Sequence, residues 1–218
     1  MRDRGITGQA GQRGTILRVA LPGFLVLFLS PPMSENKRMS LLAEEIVEEW
    51  LNRQGYFTIR GVKVGVHEID LLAVGWKNGH LDCRQIEVQA SVNPISYLTR
   101  VPKAVQKETG RAAGNAKLRE VEELRVGIQE WIEKKYDLPR KKQVRESLAP
   151  GPWSRELVVH RLKHDVEREM VAKAGITVWN LSDIVKDLQR KDALLEGAAG
   201  AHLVELVAMA ADELPTSS

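Results

Sequence analysis

From residue 40 onward the apolar positions change period several times, and each change predicts an element. Leu41, Leu42, Ile46, Val47, Trp50 and Leu51 recur at helical spacing behind Ser40, a candidate N-cap, with Glu44 and Glu45 in the opening turns; Gly55 stops this helix. Residues 56–64 alternate aromatic or branched side chains with polar ones and read as a strand. Two more strands follow, 66–74 and 81–91, joined as a hairpin by the polar turn Gly75-Trp76-Lys77-Asn78-Gly79-His80, and Asn93-Pro94 ends the second of them. A helical region spans 101–135 with breaks around Gly110 and Gly114, whereas 138–153, which carries Pro139, Pro150, Gly151 and Pro152, reads as a loop. The period then passes through strand (156–160), helix (163–174), strand (176–180) and helix (182–188), a unit whose short crossover favours a parallel pair. An Ala/Leu-rich stretch at 192–213 predicts a final helix before a polar tail at 214–218. The sum is an α/β fold, a mixed sheet of about five strands flanked by helices.

Composition narrows this picture in three ways. With 218 residues and 43% hydrophobic content, the chain can bury one sizeable core, which predicts a single domain over 39–213. Residues 1–38 stand outside it: Arg18 precedes an apolar run at 19–29, too short to span a bilayer, that reads either as a signal-like segment or as an upstream extension with Met33 or Met39 as the start. Cys83 is the single cysteine, which excludes a disulfide framework and a multi-thiolate zinc site and points to the cytoplasm, with no membrane partner. The net charge of +3 is weak, but residues 100–145 carry thirteen Lys and Arg against seven Asp and Glu. A basic segment beside an acidic pocket suits a protein that grips phosphates, though solvated helix faces give similar counts. Lys103, Lys107 and Arg111, four apart, would share one helix face, fit either for contact with a nucleic-acid backbone or for plain solvation.

The carboxylates in the hairpin demand more explanation. Asp70 and Glu87 sit among residues that favour burial, and a buried carboxylate is costly unless a cation or hydrogen-bond donors compensate it. Hairpin pairing brings the two together; alternation puts Gln85, Glu87 and Gln89 on one face, and Glu44 arrives from a helix packed on the same sheet. Three carboxylates and a backbone carbonyl make a hard oxygen cage suited to Mg²⁺. Other chemistry finds less support. His160 and His164 lack an HExxH context, Cys83 has no histidine partner in sequence, Trp76, Trp153 and Trp179 read as core or turn aromatics, and there is no glycine-rich phosphate loop.

Glu44 in the first helix, Gly55-Tyr56 after it, Glu68-Ile69-Asp70-Leu71-Leu72-Ala73 and then Glu87-Val88-Gln89 resemble, in order and spacing, the PD-(D/E)XK nuclease superfamily, especially its small Holliday-junction-resolvase-like members. The resemblance covers about residues 40–190, with the motifs in the first fifty of them. It implies a restriction-endonuclease-like three-layer core and a Mg²⁺- or Mn²⁺-dependent endonuclease acting on DNA, in a superfamily where many members are homodimers. It further implies that Asp70, Glu87 and the Val88 carbonyl hold the metal and that Glu44 assists. Gln89 stands where the pattern usually has lysine, so it would position the attacking water but supply no charge. Some active enzymes of this fold carry Glu-x-Gln, and Lys103 or Lys107 could deliver the cation from another element. The alternative is a protein that keeps the fold and binds nucleic acid or assembles without turnover.

Overall fold

A computed structural model of the chain describes residues 34–91 and 93–189. The apolar run at 19–29, the helix expected over 192–213 and the tail lie outside them. The first helix, α1 (Glu35–Arg53), starts earlier than its apolar stripe suggested: Ser34 takes the N-cap position, and Ser40 instead lies inside the helix with its hydroxyl donating to Glu44 Oε1 at 3.3 Å. The domain boundary placed at residue 39 therefore cuts through an element. Ala43, Ile46, Val47, Trp50 and Leu51 form its buried stripe, at the spacing that keeps side chains on one face of a helix.

Three strands follow as a meander: β1 (Phe57–Val64), β2 (His67–Lys77) and β3 (His80–Gln89). β1 pairs antiparallel with β2, and β2 antiparallel with β3. The hairpin between the last two closes on Asn78 and Gly79, both at positive φ (51° and 82°), the conformation that two-residue hairpin turns require and that Asn-Gly adopts readily. Then come α2 (Lys103–Thr109), α3 (Val121–Ile132), a π-helical turn at Glu133–Asp137, and α4 (Pro139–Leu148). α4 occupies most of the stretch expected to be a loop; its Pro139 is at the first helical position, where the missing N–H costs nothing. The chain ends, within the described residues, as β4 (Ser154–Val159), α5 (Asp165–Lys173), β5 (Thr177–Asn180) and α6 (Leu181–Leu188).

The five strands lie in sequence order, β1-β2-β3-β4-β5, and β4 is parallel to both β3 and β5. This is an α/β protein with a mixed, open sheet between helical layers. On one face, Leu71, Ala73, Ile86, Val88 and Val158 pack against the stripe of α1 and against Leu181, Ile184 and Leu188 of α6. On the other, Leu157 and Val159 pack with Ile128, Ile132 and Tyr136, and with Val171 of α5. Covering both faces explains why β2 and β3 carry near-continuous buried runs rather than simple alternation.

The α1 face also contains a buried ion pair, in which Arg84 on β3 grips Glu156 on β4 through two hydrogen bonds of 2.7 and 2.6 Å. The Arg84 guanidinium lies 5.2 Å from the ring centroids of Trp50 and Tyr56 and 5.7 Å from that of Trp179, whose Nε1 donates to Glu156 at 2.5 Å. Tyr56 is fixed in turn by a 2.5 Å bond from its hydroxyl to Asp82, and its ring occupies the space above Gly75, where a Cβ would come within 2.8 Å of Tyr56 Cδ1. Gly75→Ala should therefore cost about 1–3 kcal/mol, the usual range for forcing extra bulk into a packed interior. Thermal melting checks this, and an unshifted Tm would show that the Tyr56 ring gives way freely.

Candidate metal and nucleic-acid site

β3 changes partner type along its length. Its N-terminal part pairs antiparallel with β2, up to Leu71 opposite Ile86; its C-terminal part pairs parallel with β4 from Arg84 to Gln89. Asp70 and Glu87 are the residues just beyond that last antiparallel pair, where β2 and β3 stop exchanging ladder bonds. An Asp70 oxygen takes over the free donor there: Val88 N–H donates to Asp70 Oδ2 at 2.8 Å. The site thus sits at the carboxyl end of β3, where the sheet switches direction, the usual place for ligands in open α/β sheets.

Glu87 is 1% exposed and is held by two ammonium groups. Lys135 Nζ lies 2.5 Å from its Oε2 and 3.9 Å from Asp70 Oδ2, so one cation serves both carboxylates. Lys141 Nζ lies 3.3 Å from Glu87 Oε1 and also donates to the backbone carbonyls of Glu68 (2.6 Å) and Lys135 (2.8 Å). Gln85, fully buried two residues upstream on the same face, donates to Glu87 Oε1 at 3.2 Å and to the Lys135 carbonyl at 2.9 Å, while its own oxygen accepts from Arg145. The π-helical turn makes this possible. Its Lys135 and Tyr136 carbonyls accept from Lys141, Gln85 and Arg145.

Glu44 approaches from the other layer, since α1 packs on the opposite face of the sheet from the π-helical turn and α4. Burial and the neighbouring Asp70 charge push its carboxyl up to about 7, against the pull of the Ser40 hydroxyl. Burial and Asp70 likewise push Glu87 to about 7, with Lys135 and Lys141 pulling the other way. Although burial works against its charge, Lys135 is held above the ordinary lysine value by Glu87 and Asp70; Lys141, burial dominating, is lowered. Asp70 thus repels both Glu44 and Glu87, and the two ammonium groups offset part of that repulsion at Glu87.

Of the residues anticipated from sequence, Asp70 is brought into electrostatic contact with both Glu44 and Glu87. Val88 adjoins Asp70 through its N–H. Gln89 is half-buried and its amide donates to the Leu98 carbonyl at 3.3 Å, which ties the end of β3 to the following loop. Lys103 and Lys107 lie exposed on α2, and the cation beside the carboxylates comes instead from Lys135 and Lys141. Arg111 does not continue their face: α2 ends at Gly110 in a left-handed cap (φ 67°), and Arg111 pairs with Glu123 at 2.8 Å. Both lysines that meet Glu87 went unremarked in the sequence, although Lys141 and Arg145, four apart, mark the buried side of α4.

Among the described residues, no group of three or more His, Cys, Asp or Glu stands ready-made to hold a metal ion. The donor chemistry nonetheless suits Mg²⁺ or Mn²⁺: hard carboxylate oxygens of Asp70 and Glu87 converge on one cation position. The ammonium of Lys135 fills the space between them. Among the described residues, no helix is long and apolar enough to cross a membrane.

No family model matches the sequence, and no curated protein matches it. A solved structure similar to this chain at a TM-score of 0.38, 12% identical over 67% of this chain and 65% of that one, is titled a protein of unknown function, AF1548. The chain thus spans just under two thirds of that neighbour's length.

Proposed function

We propose that the chain is a metal-dependent nuclease of the PD-(D/E)XK type that hydrolyses phosphodiester bonds in DNA. The observation that carries this reading is the sharing of one cation by Asp70 and Glu87 at the carboxyl end of β3, with Glu44 close enough that the Asp70 charge adds to burial in raising its carboxyl. Asp70 and Glu87 would hold Mg²⁺, with Glu44 acting on it directly or through water and the Val88 carbonyl as a further ligand. When bound, the ion polarises the phosphate and lowers the pKa of an attacking water. Around it, Gln89 offers hydrogen bonds to that water, and the positive charge that glutamine lacks comes from Lys135. The test is cleavage of plasmid DNA by the full chain with Mg²⁺ or Mn²⁺ against a chelator control. Absence of both cleavage and metal binding would remove the reading.

A second reading has its own support. Both oxygens of Glu87 already hold ammonium groups, and the Gln89 amide is engaged with Leu98, an arrangement suited to a binding protein that keeps the fold without turnover. Salt-sensitive DNA binding without metal uptake, read by calorimetry, would favour it. For either reading, exposed Lys103 and Lys107 supply phosphate contacts. Lys103→Gln and Lys107→Gln should each lower the slope of log affinity against log salt by about one, whereas Arg111→Gln, which breaks the pair with Glu123, should leave it unchanged. Titrations at several salt concentrations measure the slopes.

A further inference from the structure

The two lysines on Glu87 are not equivalent, and their difference assigns them different jobs. An ammonium group has three donors. Lys141 spends all of them at fixed points, Glu87 Oε1 and the carbonyls of Glu68 and Lys135, and its side chain is 1% exposed. It is built into the structure. Among the described residues the Lys135 ammonium meets Glu87 and, at longer range, Asp70; its side chain, on the π-helical turn, is 32% exposed.

Charge counting separates them further. With Glu44, Asp70 and Glu87 all ionised, as a cluster that holds a metal would be, three negative charges face two ammonium groups. If a divalent cation joined the cluster beside both lysines, positive charge would exceed negative. If it replaced one of them, the charges would balance, and a buried cluster strongly favours balance. The lysine able to leave is Lys135, because its head group can move into solvent without breaking a bond to any backbone carbonyl, whereas withdrawing Lys141 would break two.

Resting on the metal-dependent reading above, we infer that Lys135 is an exchangeable counter-ion: its ammonium occupies the seat between Asp70 and Glu87 in the metal-free chain, and a divalent cation binds by displacing it. Lys141 stays in place throughout. The displaced ammonium remains tethered at the rim of the site, on the side from which a phosphate anion would approach, so metal entry also delivers a positive charge to the substrate's position.

Mn²⁺ binding to the full chain, measured by calorimetry and by loss of the free-ion paramagnetic resonance signal, tests this. Lys135→Met keeps the length of the side chain and removes its charge; it should bind Mn²⁺ about tenfold or more tightly than the native chain, since a competing cation a few ångströms away has been removed. Lys135→Arg, still charged, should show no such gain. In the native chain, with lysine side chains labelled with ¹⁵N, saturation with Mg²⁺ should alter the ammonium signal of Lys135 and leave that of Lys141 in place. Equal or weaker Mn²⁺ binding by Lys135→Met, or a Lys135 signal indifferent to Mg²⁺, would overturn the inference while leaving the nuclease reading standing. Mn²⁺ binding by Lys135→Met but not by the native chain would show an ammonium that does not exchange, overturning the inference along with that reading; binding by neither would defeat both.

Discussion

Replacing Asp70 by asparagine should reduce Mg²⁺-dependent cleavage of DNA at least about a hundredfold, with the fold retained. Metal ligation contributes several kcal/mol of transition-state stabilisation, and every 1.36 kcal/mol lost is a factor of about ten in rate. The substitution isolates charge from structure. Asp70 accepts the Val88 N–H at 2.8 Å, and an asparagine oxygen can accept the same bond, so the end of the β2–β3 ladder stays closed. What disappears is the negative charge that shares a cation with Glu87. Nicking of supercoiled DNA at saturating Mg²⁺, set beside thermal melting of the same protein, measures both halves. Native-rate cleavage by Asp70→Asn would mean that this acidic site is not where the chemistry happens.

That substitution was open to choice from sequence alone, because alternation and an Asn-Gly turn specify a hairpin strongly. The side chains of Asp70 and Glu87 had to fall at its open end, and the structure brings them to one ammonium group. The strand-helix-strand unit at β4-α5-β5 was equally legible, since each change of period coincides with a glycine or polar break and the pair is parallel as its short crossover required. The cations were not legible, for a physical reason. Reading helices from apolar periodicity assumes that the buried face is apolar, and the buried residues of α4 are Lys141 and Arg145. With charged residues inside and Pro139 at its start, α4 looks like a loop, yet it supplies one of the two cations on Glu87. Arg111 failed in the opposite way. A four-residue spacing was extended across Gly110, whose left-handed conformation ends α2 and turns the chain, so that Arg111 meets Glu123 instead of sharing a face with Lys107.

The burial of Lys141 carries the second large effect. Lys141→Met should lower the stability of the chain by about 3–5 kcal/mol, the range seen when one member of a buried ion pair is removed and the other stays. Three acceptors lose a donor at once: Glu87 Oε1, the Glu68 carbonyl on β2 and the Lys135 carbonyl in the π-helical turn. Glu87 can then fall back on Lys135 and Gln85, and the Lys135 carbonyl on Gln85, while the Glu68 carbonyl loses its bond from the ammonium. Because the penalty comes largely from stranded charge, removing the charge should return part of it. Glu87→Gln in the Lys141→Met background should restore at least about 1 kcal/mol relative to the sum of the two single changes, the coupling expected of groups in direct contact. Urea denaturation of the four proteins closes that cycle. Lys135→Met, whose ammonium is partly in solvent and holds no backbone carbonyl, should cost clearly less than Lys141→Met, and the order of those two midpoints bears on the division of labour directly. If the two substitutions cost the same, the site has no fixed cation and no exchangeable one, and the carboxylates are balanced by whichever lysine is nearer.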